Sequence, residues 1–287
     1  MNNNILVPGY YIWTDSCLML GVNHRPGRNF TVSADQLIIC LDGEIVTKLE
    51  DGSEFTGKVF AVPAGTLINM DTIESTYTNV AVLYFAATTQ AYYIIKEQMQ
   101  FEKNGIFYGF PNEEQLINQL TEIQRKNSTA EEAHEKIYHL LIPEEFKGKE
   151  LKVFDPRILK VIKLIQYTAR QNLPIKDLAE QVHLSESRLV KLFKNQIGIP
   201  ITKYRMGHRL FVGVIYLVTG HSVTESALAS GFASTAHFSK CYSAILGIQP
   251  STAFIRSGSL NINITKEILN ILPKQTTTNS EESKQEK

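Results

Sequence analysis

The sequence contains two similar stretches, LAEQVHLSESRLVKLFKNQIG at residues 178–198 and SALASGFASTAHFSKCYSAILG at residues 226–247. A small residue stands second in each stretch, and these alanines, Ala179 and Ala227, lie 48 positions apart. Each alanine is followed by a turn and then by two large apolar residues four positions apart, Leu189 and Phe193 in one copy and Phe238 and Tyr242 in the other. A unit repeated in this way predicts two successive helix-turn-helix motifs.

Each part of the repeated pattern has a physical cause. A small alanine lets two helices cross closely, and a glycine such as Gly231 suits the tight turn because it adopts positive φ without strain. Ser185 and Ser234 stand where a hydroxyl would accept a hydrogen bond from the first free amide groups of the second helix. The apolar pair buries one face of that helix and leaves the opposite face for the major groove of DNA.

Charge is divided unevenly along the 287 residues, although the formal net charge is zero. Residues 1–150 hold 11 Lys and Arg against 20 Asp and Glu, whereas residues 151–256 hold 14 against 5. The last 31 residues are balanced at 4 against 4. A basic domain joined to an acidic one fits a nucleic-acid-binding domain attached to a domain of another kind. The length also suits two domains of ordinary size.

The N-terminal half changes character near residue 88. Residues 4–87 run in short β-branched and aromatic stretches cut by turn signals, which predicts an antiparallel sandwich or a small barrel. Residues 88–141 read as three helices, and Ser128 with Glu131 has the spacing of a capping box at the start of the third.

These patterns divide the chain into four parts. Residues 1–142 form an N-terminal domain, residues 143–154 a linker, residues 155–256 a helical C-terminal domain and residues 257–287 an extension. Asp155 and Pro156 make a good N-cap and first-turn pair for the C-terminal domain. The extension is expected to be disordered from about residue 275, because QTTTNSEESKQEK lacks apolar residues.

The C-terminal domain resembles the DNA-binding domain of the AraC/XylS family of transcription regulators. The resemblance covers residues 155–256, from DPRI to the run GFASTAHFSKCYSAILGIQPSTAFIR. The positions that match the family pattern are Gly231, Phe232, Phe238, Ser239, Lys240, Tyr242, Gly247, Pro250 and Arg256. The implied function is an effector-responsive, sequence-specific regulator, an activator like most of the family, which binds double-stranded DNA and contacts RNA polymerase.

The resemblance also implies the DNA contacts. A long helix at residues 200–219, with Arg209 and Leu210 at its typical Arg-Leu step, would join the motifs so that each second helix enters one of two successive major grooves. Bases would be read by Ser187, Val190 and Lys191 in the first motif and by Thr235, Ala236, Ser239 and Lys240 in the second. Arg188 and Lys194 would contact phosphates.

The chain departs from the family pattern at Gly213, which replaces an alanine on the long helix, at Ser226, which replaces an apolar residue, and at Ala236. Alanine offers no hydrogen bond to a base, and Lys240 is the only cation expected on the second reading helix. We therefore expect the second motif to contribute less specificity than the first.

The N-terminal domain resembles the cupin-like sensor and dimerisation domains of many family members. The match depends on ADQLIICLDGEI at residues 34–45 and on Gly57, Pro63 and Gly65, which fit the G(x)5PxG part of a cupin signature. Metal-binding cupins have a histidine three residues after the last glycine, where this chain has Ile68. No metal or other cofactor is expected, because a single histidine cannot supply three or four ligands.

The fold class expected is therefore a mainly β, cupin-like barrel with trailing helices, followed by an all-α domain whose two helix-turn-helix motifs are joined by a long helix. A small effector would bind in the barrel, beside some of Tyr10, Tyr11, Trp13, His24 and Arg28. The alternative is that these are ordinary core and rim residues. The apolar edge formed by Leu116, Ile117, Leu120 and Ile123 would join two chains in a homodimer or, equally well, pack on its own barrel.

Two other classes of function compete with the regulator. The missing metal ligands argue against a cupin enzyme, and the thin charge of the second reading helix is the main support for an interaction module or anti-regulator. Cys17, Cys40 and Cys241 are too scattered for a zinc site or a disulfide framework, which also argues against the zinc-dependent DNA-repair relatives. A cytoplasmic protein is expected, since the sequence shows neither a signal peptide nor a long apolar run.

Overall fold

The computed structural model describes residues 7–22, 29–48, 54–69, 72–75, 79–246, 250 and 261–271. These residues form a strand-rich N-terminal part and a helical C-terminal part, as expected. The strands are β1 (Gly9–Ile12), β2 (Ser16–Val22), β3 (Asn29–Thr31), β4 (Gln36–Cys40), β5 (Ile45–Lys48), β6 (Glu54–Gly57), β7 (Val59–Val62), β8 (Leu67–Asn69), β9 (Ile73–Ser75), β10 (Val80–Phe85), β11 (Phe101–Lys103), β12 (Ile106–Tyr108) and β13 (Asn261–Ile264).

Ten helices accompany these strands in the described part of the chain. They are α1 (Gln90–Gln98), α2 (Glu113–Lys126), α3 (Ala130–Leu141), α4 (Pro156–Tyr167), α5 (Ile175–Glu180), α6 (Glu186–Ile197), α7 (Ile201–Val218), α8 (Val223–Ala229), α9 (Thr235–Leu246) and α10 (Lys266–Ile271). A short 3-10 helix at Glu144–Phe146 lies in the segment interpreted as a linker.

One eight-stranded sheet organises the N-terminal part, in the order β11-β12-β7-β4-β10-β2-β1-β13. Its residues alternate between two cores, as in β4, where Leu37 and Ile39 face the helices and Cys40 faces the small sheets β3-β8 and β6-β5-β9. Among the described strands no pairing closes the large sheet on itself. The coarse expectation of a β domain holds, but the closed cupin-like barrel is not confirmed.

A β-hairpin lies between the first and the second of the three helices that the sequence analysis expected in residues 88–141. Strands β11 and β12 pair in antiparallel register between α1 and α2, and β12 continues onto β7. Asn104 and Gly105 form the turn with φ of 52° and 76°. Helices α1, α2 and α3 all lie within residues 88–141. The hairpin between the first two was not predicted, although Asn-Gly favours the two-residue turn of a hairpin.

The capping box of α3 lies one residue later than predicted. The Thr129 hydroxyl accepts a hydrogen bond from the Glu132 amide at 3.2 Å, and the Glu132 carboxylate accepts one from the Thr129 amide at 3.1 Å. Ser128 is buried, and its amide donates instead to the Ile123 carbonyl at the end of α2. The predicted pair, Ser128 and Glu131, is therefore wrong, since Ser128 closes the preceding helix.

The apolar edge of α2 packs inside its own chain. Leu116, Leu120 and Ile123 are 0% exposed in the core between α1–α3 and the large sheet, with Ile117 packed against the same core. This arrangement is the second of the two alternatives that the spacing left open. The edge predicted for dimerisation is thus covered by the chain's own sheet, because α2 turns its apolar stripe inward.

The C-terminal extension returns to the N-terminal sheet. Strand β13 pairs in parallel with β1, from Gly9 opposite Asn261 to Ile12 opposite Ile264. Ile268 of α10 then enters the core that α7–α9 share with Tyr10 and Ile12. Residues 275–287, predicted to be disordered, lie outside the described residues.

Within the described ranges, no helix has both the length and the apolar character needed to cross a membrane. Nor do three or more His, Cys, Asp or Glu side chains come together there in a way that would hold a metal ion.

Candidate nucleic-acid interface

The first helix-turn-helix motif consists of α5 and α6. The Leu184 amide donates to the Ala179 carbonyl at 3.0 Å and reverses the chain, while His183 adopts a φ of 55°. Ser185 caps α6 by accepting from the Arg188 amide at 3.4 Å, as predicted. The apolar pair predicted for the inner face, Leu189 and Phe193, is 0% exposed. The second helix of this motif is therefore fixed on its inner side.

The second motif, α8 and α9, repeats this geometry. The Phe232 amide donates to the Ala227 carbonyl at 2.9 Å, and Gly231 takes the positive φ, 84°, that the sequence predicted. The Ser234 hydroxyl accepts from the His237 amide at 3.2 Å, which confirms the predicted cap. The turns of both motifs thus close over the same number of residues. The additional residue of the second copy is Ala233, which lies between the closed turn and the cap.

The outward face of α6 has the chemistry needed for DNA. Ser187, Arg188, Val190, Lys191 and Lys194 are all exposed. In the part of the chain that the structure describes, no ion pair involves these three cations. They are therefore available to phosphates and to base edges.

The outward face of α9 has fewer groups available to DNA than that of α6. Ala236 and Lys240 are exposed, whereas Thr235 and Ser239 are half-buried. The Thr235 hydroxyl donates to the hydroxyl of Thr224 at 3.4 Å, within the same motif. Lys240 is the single cation of this helix. Fewer exposed polar groups remain for DNA than on α6.

The departures from the family pattern have a partial structural explanation. A Cβ on Gly213 would collide with the Phe238 ring, which fills that space between α7 and α9. Ser226 is 0% exposed, and its hydroxyl has no hydrogen-bond partner among the described atoms. Nothing in the structure explains why a hydroxyl stands there.

The long helix α7 joins the two motifs as predicted. Arg209 donates from Nε to the Ala169 carbonyl at 2.8 Å, and Leu210 is buried in the core of the second motif. Arg205 donates from Nη1 to the Asn172 side chain at 2.9 Å. These arginines hold the segment after α4 against α7, so they act structurally.

The N-terminal domain touches the end of α6 directly. A Cβ on Gly65 would lie 2.5 Å from the Gly198 carbonyl oxygen, and a Cβ on Gly198 would lie 2.6 Å from the Ala64 carbonyl oxygen. Gly198 ends α6 in the left-handed conformation. The turn that sequence analysis singled out as cupin-like therefore abuts, backbone to backbone, the helix expected to read DNA.

Asp35 supports this turn. Its carboxylate accepts a hydrogen bond from the Ala64 amide at 2.8 Å, and burial raises the pKa of its carboxyl to about 6. The linker is held nearby by Gln90, whose side-chain oxygen accepts from the Leu151 and Lys152 amides, both at 3.0 Å. The contact between the domains is thus supported on its N-terminal side.

A cavity of about 880 Å³ lies between the two domains. Tyr10 and Trp13, two of the residues predicted to bind an effector, line it. Tyr11 is 1% exposed in the core beneath the helices. His24 and Arg28 lie outside the described residues. This space for a ligand thus lies between the domains, where no local sequence signal could reveal it.

Comparison with known proteins supports the C-terminal assignment. Residues 178–255 match a family model described as a helix-turn-helix domain. Over 96 residues the chain is 30% identical to the HTH-type transcriptional regulator GbdR of Pseudomonas aeruginosa. That match covers 33% of this chain and 26% of the relative, so the chain spans about a quarter of the length of the curated relatives it matches.

The fold resembles that of ToxT from Vibrio cholerae. The structure of unsaturated fatty acid bound ToxT from strain SCE256 aligns with a TM-score of 0.52 at 13% identity, covering 85% of this chain and 96% of the other. ToxT from strain O395 aligns with a TM-score of 0.51 at 14% identity, covering 86% and 96%. At such identities the likeness shows a shared two-domain fold.

Proposed function

We propose that this chain, whose C-terminal domain is a helix-turn-helix domain of the AraC type, is a sequence-specific transcription activator controlled by a small-molecule effector. The observation that carries the proposal is the pair of motifs with matching turns, Leu184 to Ala179 and Phe232 to Ala227. Together with the exposed cations of α6, they form the surface that major-groove recognition requires. By the same resemblance, the chain contacts RNA polymerase and acts as a homodimer.

The first motif carries most of the DNA recognition in this proposal. Lys191, with Ser187 and Val190, reads bases, while Arg188 and Lys194 bind phosphates. In the second motif Thr235, Ala236, Ser239 and Lys240 face the DNA. Half-burial of Thr235 and Ser239 leaves Lys240 as the main polar contact there. The second motif then contributes contacts to the backbone and to groove shape more than direct base readout.

The N-terminal domain serves as the cupin-like sensor, and the effector binds in the cavity between the domains. A volume of about 880 Å³ suits a small organic molecule. The structural neighbour ToxT has been solved with an unsaturated fatty acid, which gives a precedent for an apolar ligand in this fold. A ligand at this position would touch both domains, so it could favour one arrangement of them over another.

Enrichment of genomic DNA fragments on the purified full-length chain tests this function. We expect one short motif to be enriched, and we expect the double variant Lys191→Ala with Lys194→Ala to lose most of that enrichment. The matched control is Lys149→Ala, which removes an exposed lysine outside the C-terminal domain. If no motif is enriched at moderate salt, with or without cell extract as a source of effector, the chain is an interaction module instead.

A further inference from the structure

The cavity between the domains has a wall that is polar in only a few places. Aromatic side chains form much of it, Trp13 and Phe85 from the N-terminal domain and Tyr204 and Phe211 from α7. Such a wall binds an apolar body, and aromatic faces also attract cations. The class of ligand therefore depends on the few polar groups.

One of these polar groups has no partner. Tyr10 is 3% exposed, lines the cavity, and its hydroxyl makes no hydrogen bond within the described part of the chain. A buried hydroxyl without a partner is unfavourable, and a ligand that bonds to it would relieve that penalty. This observation marks the cavity as a binding site independently of its size.

Negative charge comes from the N-terminal wall. Asp35, 8% exposed, lines the cavity and holds the Ala64 amide at 2.8 Å. Burial raises the pKa of its carboxyl to about 6, although the hydrogen bond from Ala64 and the charges of Lys96 and Lys152 lower that pKa. The ammonium groups of these lysines lie over aromatic rings instead, Lys96 over Phe107 at 4.4 Å and Lys152 over Tyr93 at 5.8 Å. A second carboxylate, Asp15, lines the cavity half-buried.

The opposite wall provides no buried positive charge to balance Asp35, whereas Asp15 already lies 3.9 Å from the His134 imidazole. Lys163 and Arg170 line the cavity but are exposed to solvent at its rim. Burial lowers the pKa of His208, which favours the neutral imidazole near pH 7. Among the described residues that line the cavity, Asp35 is therefore the only buried side chain that carries a formal charge near pH 7.

We infer that the cavity binds an apolar molecule bearing an ammonium group, with the cation against the Asp35 carboxylate and the apolar body against the aromatic walls. This inference deepens the proposed effector control and rests on it for its regulatory meaning. The ammonium group supplies a counter-charge inside the cavity, whose described lining has no buried cation, and the aromatic rings can stabilise it further. A carboxylate ligand at the same place would face Asp35 with like charge.

The position of Asp35 gives such a ligand a route to the DNA-binding helix. The carboxylate that would bind the cation also holds the Ala64 amide, and the Ala64–Gly65 turn abuts Gly198 at the end of α6. A cation beside Asp35 changes the charge that supports this turn. The ligand therefore changes how the first motif packs against the N-terminal domain.

Matched eight-carbon probes test the ligand class on the full-length chain. We expect n-octylamine to bind saturably by calorimetry, and 1-octanol and octanoate to bind at least about tenfold more weakly, as expected for one lost charge-assisted contact. Asp35→Asn should reduce octylamine affinity by about tenfold and remove the preference over octanol. The matched control is Asp42→Asn, which replaces an exposed carboxylate that also accepts a backbone amide, from Asn79 at 2.8 Å, and should leave binding unchanged.

A second variant keeps the test decisive if Asp35→Asn fails to fold. Gly207 of α7 lines the cavity, and a Cβ built there meets nothing within 4 Å. Gly207→Leu should therefore fold, occupy part of the cavity and abolish octylamine binding.

Three outcomes would overturn the inference: octanoate binding in preference to octylamine, octylamine binding that survives Gly207→Leu, and binding of none of the three probes. Enrichment of DNA without any probe is a separate measurement, so failure of the ligand class is distinguishable from failure of the proposed function.

Discussion

The two helix-turn-helix motifs have equivalent cores but differ in the outward faces of their second helices. Phe193 and Phe238 are both 0% exposed, and the two turns close through equivalent hydrogen bonds. The outer face of α6 presents three exposed cations, whereas that of α9 presents Lys240 alone. The residues that define the motif are those that pack and are alike in both copies, while the residues proposed to read DNA differ between the copies.

The motifs also differ in their attachment to the N-terminal domain. The first meets it at a backbone contact, Ala64–Gly65 against Gly198. The second shares a core with β1 and with Ile268 of α10. The second motif is thus anchored through many apolar side chains. The first is anchored through fewer, Ala64, Ala87 and Tyr93, and through a close backbone approach that any added side chain would disturb. This difference favours the first contact as the one that the proposed effector would release.

The largest expected effect comes from removing the buried phenylalanine ring in the core of each motif. Phe193→Ala and Phe238→Ala should each lower the free energy of unfolding by about 3 to 5 kcal/mol, because each leaves a cavity in a closed core. Urea unfolding followed by circular dichroism measures both. A difference of more than about 2 kcal/mol between the two variants would show that the cores are not equivalent.

The backbone contact between Ala64–Gly65 and Gly198 gives the next largest effect. Gly198→Ala should lower the free energy of unfolding by about 2 to 3 kcal/mol, from positive φ and from the collision with the Ala64 carbonyl. Gly220→Ala is the control, since its φ is 95° but nothing lies within 4 Å of the added Cβ. Limited proteolysis should cut residues 143–154 faster in Gly198→Ala than in the control. Equal effects in both variants would mean that the contact contributes nothing beyond backbone strain.

Asp35, which supports the turn at Ala64 and Gly65, predicts a smaller, pH-dependent effect on stability. The folded pKa of Asp35, about 6, lies above its ordinary value of 3.8, so the folded chain holds this proton more tightly than the unfolded chain. The contribution of this group to stability therefore rises as pH falls from about 7 through 6 toward about 4, by about 3 kcal/mol in total, of which roughly 1 kcal/mol falls between pH 7 and pH 5.

Urea unfolding at about pH 7 and pH 5 measures this change. Asp35→Asn should lack this component while keeping an oxygen acceptor for the Ala64 amide. An unchanged pH dependence in the variant would contradict the assignment.

Much of the fold was predictable because its signals are local. The repeat of alanine, turn and apolar pair located both motifs, and Asp155 begins α4 by accepting from the Arg157 amide at 2.9 Å, as expected for an N-cap. The hairpin at Phe101–Tyr108 carried a readable signal too, the Asn-Gly pair, which the helical context obscured.

Other features depend on contacts between distant residues. Strand β13 is recognisable only through its register with β1, which is some 250 residues earlier in the chain. The cavity combines side chains from both domains, and only the folded chain brings Gly65 to Gly198. The sequence analysis placed an effector pocket in the barrel. Of its candidate residues that the structure describes, Tyr10 and Trp13 line the cavity between the domains, and Tyr11 lies in the core beneath the helices.

The central claim is that the first motif supplies most of the chemistry of DNA recognition. It is tested most directly by comparing Lys191→Ala and Lys240→Ala on one enriched DNA fragment by footprinting at a fixed salt concentration. We predict that Lys191→Ala weakens specific binding by about 1 to 3 kcal/mol and relaxes specificity at its half of the site, and that Lys240→Ala has less than half that effect. An equal or larger loss with Lys240→Ala would contradict the claim.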